Sequence, residues 1–197
     1  MESLRDMIQS LASAGIKKSI SGLSDMIGEE LSFTAPEINF VPILQIPSLV
    51  GGPENEAVGV YLRAEGEMAG QFMLIMPLKK ALEMVDMLMD DPIGTNQELE
   101  GMGRSALAEV GNLTGAFFLN GIAQITGKET VVTPPAVMLD MVSAILTIIV
   151  AHAGEKVERV ITIRTNIITA HKQDIQADFW YVPDLSTVNA LNNMRTQ

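Results

Sequence analysis

The sequence predicts an α+β fold, a two-layer sandwich in which a pseudo-twofold antiparallel or mixed sheet of about six strands carries two long helices on one face. Three observations favour it. With 197 residues, of which 47% are hydrophobic and 19% charged, the chain can bury a core. Helical and strand periodicities occur in the same order in each half. The chain also aligns with itself at an offset of 99 residues.

The self-alignment places Gly28–Pro36 over Gly127–Pro135, and a Gly, a Glu, a Thr and a Pro coincide. Gly22 also falls on Gly121, and these glycines are predicted to close helical stretches as C-caps. We therefore expect one domain over residues 1–197, made of repeat halves of about 1–94 and 95–197.

The first half is predicted to begin with an amphipathic helix over residues 2–27 and a strand at 38–43. A hairpin follows over 58–76, with Gly66 and Glu67 at its turn, and a helix over 78–89 closes the half.

The second half repeats this order, with a helix over 97–126 and extended chain from Thr130. A short helix is predicted over 138–151, and strands over 157–169 and 174–182, which are rich in β-branched or aromatic residues. A last helix is expected after Pro183, with Asp184 near its start.

Composition excludes several classes of function. The net charge of −11 and the lack of a dense Lys/Arg cluster argue against a nucleic-acid partner. The absence of cysteine excludes disulfides and thiolate metal sites, and fits the cytoplasm. The most apolar stretch, residues 141–151, is shorter than the roughly 20 residues of a membrane span. His152 and His171 lack nearby ligands at metal-binding spacing, so no metal site is predicted.

The helix over 97–126 carries the informative polar residues. At about 100° per residue, Ser105, Glu109, Asn112 and Ala116 share a narrow arc that is predicted to face outward. The apolar side is predicted to consist of Ala106, Val110, Leu113 and Phe117. By itself such a stripe is typical of a solvated helix face. The five glycines of the helix lower its intrinsic stability, which suggests close approach by another backbone or molecule.

At these residues the sequence resembles the CheC/CheX/FliY family of chemotaxis phosphatases. The family motif is Asp or Ser, three residues, Glu, two residues, Asn, then about 22 residues and Pro. Ser105, Glu109, Asn112 and Pro135 meet each spacing, and the surroundings resemble the CheC branch.

The four motif positions have equivalents in the first half of the repeat, but the residues there do not match the whole motif. The offset of 99 residues takes the four motif positions to Asp6, Ser10, Ser13 and Pro36. Common CheC proteins have Glu and Asn in both halves, so the resemblance implies a member with one active site here, and a scaffold or docking surface in the first half.

The resemblance implies removal of the phosphoryl group from the aspartyl phosphate of the response regulator CheY. Asn112 would orient the attacking water, and Glu109 would pair with the regulator's active-site lysine, with Ser105 and Pro135 as supports. No cofactor of this chain is implied, because the catalytic Mg²⁺ belongs to the regulator.

A second interpretation is a binding module. CheC proteins also bind CheD, a receptor-modifying deamidase, and the loss of one motif is compatible with an adaptor that sequesters CheD or CheY. A monomer is favoured, with a dimer as the alternative.

Overall fold

The computed structural model describes residues 4–153, 159–168, 174–184 and 186–187. The two long helices are α1 (Leu4–Ile27) and α4 (Gly101–Thr126). The shorter helices are α2 (Ile46–Leu49), α3 (Leu78–Leu88) and α5 (Val142–Ala153), with a 3₁₀ turn at Ile43–Gln45. The strands are β1 (Ser32–Phe33), β2 (Glu37–Pro42), β3 (Glu56–Gly66), β4 (Gly70–Pro77), β5 (Thr130–Val132), β6 (Ala136–Met141), β7 (Arg159–Ile168) and β8 (Asp174–Pro183).

These strands form one sheet in which every pairing is antiparallel. β1 and β2 both pair with β7, and β5 and β6 both pair with β3, while β4 and β8 pair with each other at the centre. The order is therefore unchanged when the strands of the first half are exchanged for those of the second. Two copies of one half, joined in a single sheet, would produce this order. The duplication and the single-domain boundaries themselves stay predictions.

Equivalent contacts tie each repeated Thr-x-Pro segment to the sheet. The Thr34 amide donates to the Asn166 carbonyl at 3.0 Å, and the Thr34 hydroxyl accepts from the Asn166 amide at 3.0 Å. Thr133 makes the same two bonds with the backbone of Arg63, at 2.9 and 3.0 Å. Each threonine thus anchors the proline two residues later.

Both long helices end on a left-handed glycine. Gly28 has φ +75° and Gly127 φ +67°, and their amides bond to the carbonyls four residues earlier at 2.9 and 2.8 Å. The C-cap prediction is confirmed for this pair. It is wrong for Gly22 and Gly121, which lie inside α1 and α4. At Gly22 a Cβ would be 2.2 Å from the Phe117 ring.

The long helices lie together on one face of the sheet, as predicted. They run antiparallel, because Gly15 packs on the backbone of Phe118 while the Ser19 hydroxyl donates to the Thr114 carbonyl at 3.1 Å. Together with α3 they cover the larger hydrophobic core.

The opposite face is covered too, so the fold has three layers rather than the predicted two. α5 and α2 pack there over a second core that contains Trp180, Ile145 and Ile46. The physical reason lies in β4, whose residues Gly70–Met76 are all buried. A strand that is apolar on both sides requires cover on both sides.

Other differences concern single elements. The sheet has eight strands rather than about six. Residues 138–141, predicted as helix, belong to β6, because they pair with β3 in continuous register before α5 begins at Val142. The helix predicted after Pro183 falls almost entirely outside the described residues. In the part of the chain that the structure describes, no helix combines the length and apolarity needed to cross a bilayer.

Candidate functional site

Helix α4 lies unusually close to the sheet. A Cβ added at Gly111 would be 2.2 Å from Cγ1 of Val60, and one at Gly115 would be 3.3 to 3.4 Å from Phe72 and Leu62. At Gly103 it would be 2.9 Å from Val85 of α3. The close approach expected from the glycines is therefore made within the chain, by β3, β4 and α3.

This packing sets which side of α4 faces solvent. The buried side is formed by Leu107, Val110, Gly111, Thr114, Gly115, Phe118 and Leu119. It is rotated by about one position from the predicted apolar side, because Ala106, Leu113 and Phe117 are only half-buried. The glycines bury the helix deeper than its side chains alone would indicate.

The polar stripe is outward-facing, as predicted. Ser105 and Glu109 are exposed and Asn112 is half-buried. The Ser105 hydroxyl donates to the Gly101 carbonyl at 3.3 Å, one turn earlier. Among the described residues, neither the Glu109 carboxylate nor the Asn112 carboxamide has a hydrogen-bond or ion-pair partner. Both groups are thus available to a visiting molecule.

Pro135 lies beside the same helix. Thr133 holds its segment to Arg63, as described above, and Arg104 of α4 donates to the carbonyl of Val137 at the start of β6. The structure therefore brings the segment of Pro135, which is half-buried, next to the motif helix. Arg104 directly precedes Ser105 in the chain, but no sequence signal predicted its bond to this segment.

The degenerate positions of the first half are arranged differently. Asp6 and Ser10 are exposed on α1, and the half-buried Ser13 donates its hydroxyl to the Gln9 carbonyl at 2.8 Å. The Gln9 side chain donates to the carbonyl of Pro36 at 2.8 Å, and Pro36 is buried. On this surface Gln9 and Ser13 thus use their side-chain donors on carbonyls of the same chain.

The loop that precedes α4 is held by a buried carboxylate. Asp86, fully buried on α3, accepts from the Gly94 amide at 2.6 Å and from the backbone and side chain of Asn96 at 2.9 and 2.7 Å. Burial opposes ionisation, but these hydrogen bonds outweigh it and hold the pKa of Asp86 below its usual value. Asp86 therefore positions the approach to the motif helix.

A second polar cluster lies on the opposite face of the sheet. Arg164 donates from Nε to the buried Asp178 at 2.7 Å and from Nη2 to the Leu49 carbonyl at 2.8 Å, beside a cleft of about 470 Å³. Gln176 donates to the other Asp178 oxygen at 2.8 Å. Arg164 and Asp178 are register partners on β7 and β8, so this is a cross-strand pair that anchors α2.

Metal chemistry has no visible basis in the described residues. No group of three His, Cys, Asp or Glu side chains within them could hold an ion. His152 belongs to α5, and His171 lies outside the described residues.

Comparison with known proteins finds similarity to CheC-like proteins. A sequence model of the CheC-like family matches residues 102–139, which include the stripe and Pro135. The CheY-P phosphatase CheC of Bacillus subtilis (strain 168) is 24% identical over 193 residues, covering 96% of this chain and 92% of that protein.

Solved structures share the fold. Thermotoga maritima FliY matches with a TM-score of 0.78 and 17% identity, over 98% of this chain and 97% of that one. CheX in the CheX–CheY–BeF3–Mg²⁺ complex of Borrelia burgdorferi matches with a TM-score of 0.55 and 17% identity, over 87% and 96%. The FliM middle domain from H. pylori matches with a TM-score of 0.68 and 12% identity, over 96% of each chain. The predicted resemblance to CheC-like proteins is confirmed.

Proposed function

We propose that this CheC-like chain is a phosphatase that hydrolyses the aspartyl phosphate of a CheY-type response regulator, with one active site on α4. One observation carries the proposal: Asn112 and Glu109 project from one helix face without a partner among the described residues. The B. subtilis relative is a CheY-P phosphatase, and the CheX relative was solved in complex with CheY.

Asn112 is the catalytic residue in this proposal. Hydrolysis of an acyl phosphate needs a water in line with the phosphorus–oxygen bond that breaks, and the charge is met by the regulator's own Mg²⁺ and lysine. A carboxamide both donates and accepts hydrogen bonds, so it can hold that water without becoming charged. Half-burial restricts the side chain of Asn112 and favours a single orientation.

Glu109 anchors the regulator. Its exposed carboxylate lies nearly one turn before Asn112, within reach of a cation that enters with the partner. Pairing with the lysine of the regulator's active site would place Asn112 over the phosphoryl group. Ser105 and Pro135 border this contact as supports.

The decisive experiment measures loss of phosphate from a phosphorylated CheY-type regulator of the same organism. Asn112→Ala should lower the accelerated rate by about 100-fold, since misplacing a reactant has that order of effect. Asn120→Ala is the matched control, because Asn120 is an exposed asparagine eight residues further along the same helix, and it should keep the wild-type rate. Circular dichroism of both variants should match the wild type. Full activity in Asn112→Ala would refute the proposal.

The second candidate is an adaptor that binds CheD or CheY without turnover. Under either proposal the protein is a cytoplasmic monomer. The observation that favours it is the surface of the first half, where Ser10 and Ser13 replace the motif and the Ser13 hydroxyl bonds within the chain. Capture of purified CheD together with an unchanged lifetime of phosphorylated CheY would support the adaptor. Accelerated phosphate loss would support the enzyme.

A further inference from the structure

Three exposed apolar side chains lie around the start of the motif helix. Met102 of α4 is 75% exposed, and Leu139 and Met141 of β6 are 38% and 46% exposed. Single exposed apolar residues are ordinary on a protein surface, whereas a group beside a functional site is informative. We call these three residues the apolar patch.

Packing of α4 along β3 places the patch. Gly111 packs against Val60 and Gly115 against Leu62, so four helix residues advance along two strand residues. Extended one and two turns before Gly111, the same advance brings the helix level with Val58 and Glu56. The register partners of those two residues are Leu139 and Met141.

The side chains of β6 also point to the correct side of the sheet. Val137 packs on the core beneath α4, and Met138 packs on the core beneath α5. Because side chains alternate along a strand, Leu139 and Met141 share the side of Val137. The bond from Arg104 to the Val137 carbonyl joins the helix to this strand.

Met102 also lies on the face of α4 that carries the polar stripe. It precedes Glu109 by seven residues, two helical turns, and therefore lies on the same face about 10 Å away. The apolar patch thus continues the surface on which Ser105, Glu109 and Asn112 are exposed.

We propose that the apolar patch is the docking surface for an apolar face of the phosphorylated regulator, next to its phosphorylation site, and that Met102 contributes most to partner choice. The inference rests on the proposed function. This chain carries a net charge of −11, and the phosphoryl group is anionic, so long-range attraction does not favour the encounter. Apolar contact must then supply much of the affinity, and methionine adapts its shape to a partner surface.

A binding experiment tests the patch separately from catalysis. The probe is a CheY-type receiver domain of the same organism loaded with Mg²⁺ and beryllofluoride, titrated into the full chain. Met102→Ala should raise Kd by about tenfold, a change equivalent to 1.4 kcal/mol. Met102→Leu should restore the affinity to within about twofold of wild type, because it keeps an apolar side chain of similar volume.

Leu44→Ala is the matched control. Leu44 is 86% exposed in the 3₁₀ turn on the opposite face of the sheet, so its truncation should leave Kd unchanged. Turnover should show the same pattern, with the effect of Met102→Ala in the half-saturating regulator concentration rather than in the rate at saturation.

The outcomes separate the two proposals. Equal Kd values for the Met102→Ala and Leu44→Ala chains would overturn the docking surface even if the wild type is an active phosphatase. Tight binding that depends on Met102, without acceleration of phosphate loss, would overturn the phosphatase and retain the docking surface. No binding of the loaded receiver by the wild type would overturn both.

Discussion

Helices α1 and α4 occupy equivalent places in the fold but present different surfaces. Both are long, both end on a left-handed glycine, and they pack antiparallel against each other. Yet α1 has Ser10 and Ser13 where α4 has Glu109 and Asn112. Since α1 packs well without the motif, the fold does not require those side chains. Their presence on α4 is better explained by a partner than by stability.

The two helices also differ in depth, by which we mean how closely the helix backbone can approach the sheet. The positions of Gly111 and Gly115 on α4 correspond to Ala12 and Ile16 on α1, both buried. Glycine lets α4 approach β3 more closely than a helix with these larger side chains could. The helix that carries the motif therefore approaches β3 closely at two positions where α1 has side chains.

The edge strands β2 and β6 also differ in how far their apolar side chains are exposed. Phe40 and Pro42 of β2 correspond to Leu139 and Met141 of β6, but they are half-buried rather than exposed. The residue equivalent to Met102 is Ser3. The second half thus combines the motif with exposed apolar residues beside it, and the equivalent positions of the first half have neither.

The largest effect should come from removing the difference in depth. Gly111→Ala gives α4 the residue found at position 12 of α1. The added Cβ would be 2.2 Å from a methyl group of Val60, a stiff β-branched side chain, so the helix or strand must shift. We expect a loss of about 3 kcal/mol in the free energy of unfolding, measured by urea denaturation.

Gly115→Ala provides the control for that measurement. Its Cβ would meet nothing closer than 3.3 Å, and alanine favours the helix, so the two effects should nearly cancel. Equal losses in the two variants would show that depth does not distinguish α4 from α1.

A smaller effect is expected at the loop that leads into α4. Asp86→Asn replaces a carboxylate that accepts three hydrogen bonds from Gly94 and Asn96, and should cost about 2 kcal/mol at pH 7. The pKa of Asp86 is lowered in the folded state, so its stabilisation is fully present above the unfolded value of about 3.9 and is lost as the pH falls through the folded pKa. Urea denaturation at pH 7, 5 and 3 should show the gap between wild type and variant narrowing only at the lowest pH.

Asp91→Asn is the matched substitution on the same loop. Asp91 is exposed, so the variant should follow the wild type at each pH. A gap for Asp86→Asn that is the same at pH 7 and pH 3 would mean that the charge of Asp86 is not what anchors the loop.

Local signals were enough to predict much of this structure. Helical periodicity and glycine C-caps located α1 and α4, the turn at Gly66 and Glu67 located the β3–β4 hairpin, and runs rich in β-branched or aromatic residues located β7 and β8. Spacing alone predicted that Glu109 and Asn112 share one face, which needs only the helical repeat. Short connections account for the β3–β4 and β7–β8 hairpins, but not for the pairing of β4 with β8 or for the three layers.

What failed depended on tertiary contacts. Residues 138–141 are three apolar residues and Asp140, too short a segment to show a clear period, and only pairing with β3 decides that they form a strand. The glycines of α4 predicted close approach by another backbone or molecule, and only the structure shows that at Gly111 the approaching group is Val60 of the same chain. Exposure of Leu139 and Met141 likewise follows from the place of β6 beside α4, which composition does not encode.

The smallest effect is predicted for an attempt to make the two halves alike. Ser10→Glu/Ser13→Asn completes the motif spacing on α1, together with Asp6 and Pro36. Placed in the Asn112→Ala chain, this pair should recover no phosphatase activity, although the residue types are now correct. Phosphate loss from the phosphorylated regulator is the measurement.

The reason is the shape of the first-half surface. Gln9 holds the carbonyl of a buried Pro36, and Ala12 prevents α1 from approaching the sheet as α4 does. Neither an exposed Met102 nor its neighbours on β6 has a counterpart there. The same two substitutions in an otherwise wild-type chain should leave the rate unchanged, which shows that they do not disturb the fold. If the graft restored more than about a tenth of the wild-type rate, motif spacing would suffice for catalysis, and the depth of α4 and the apolar patch would lose their proposed roles.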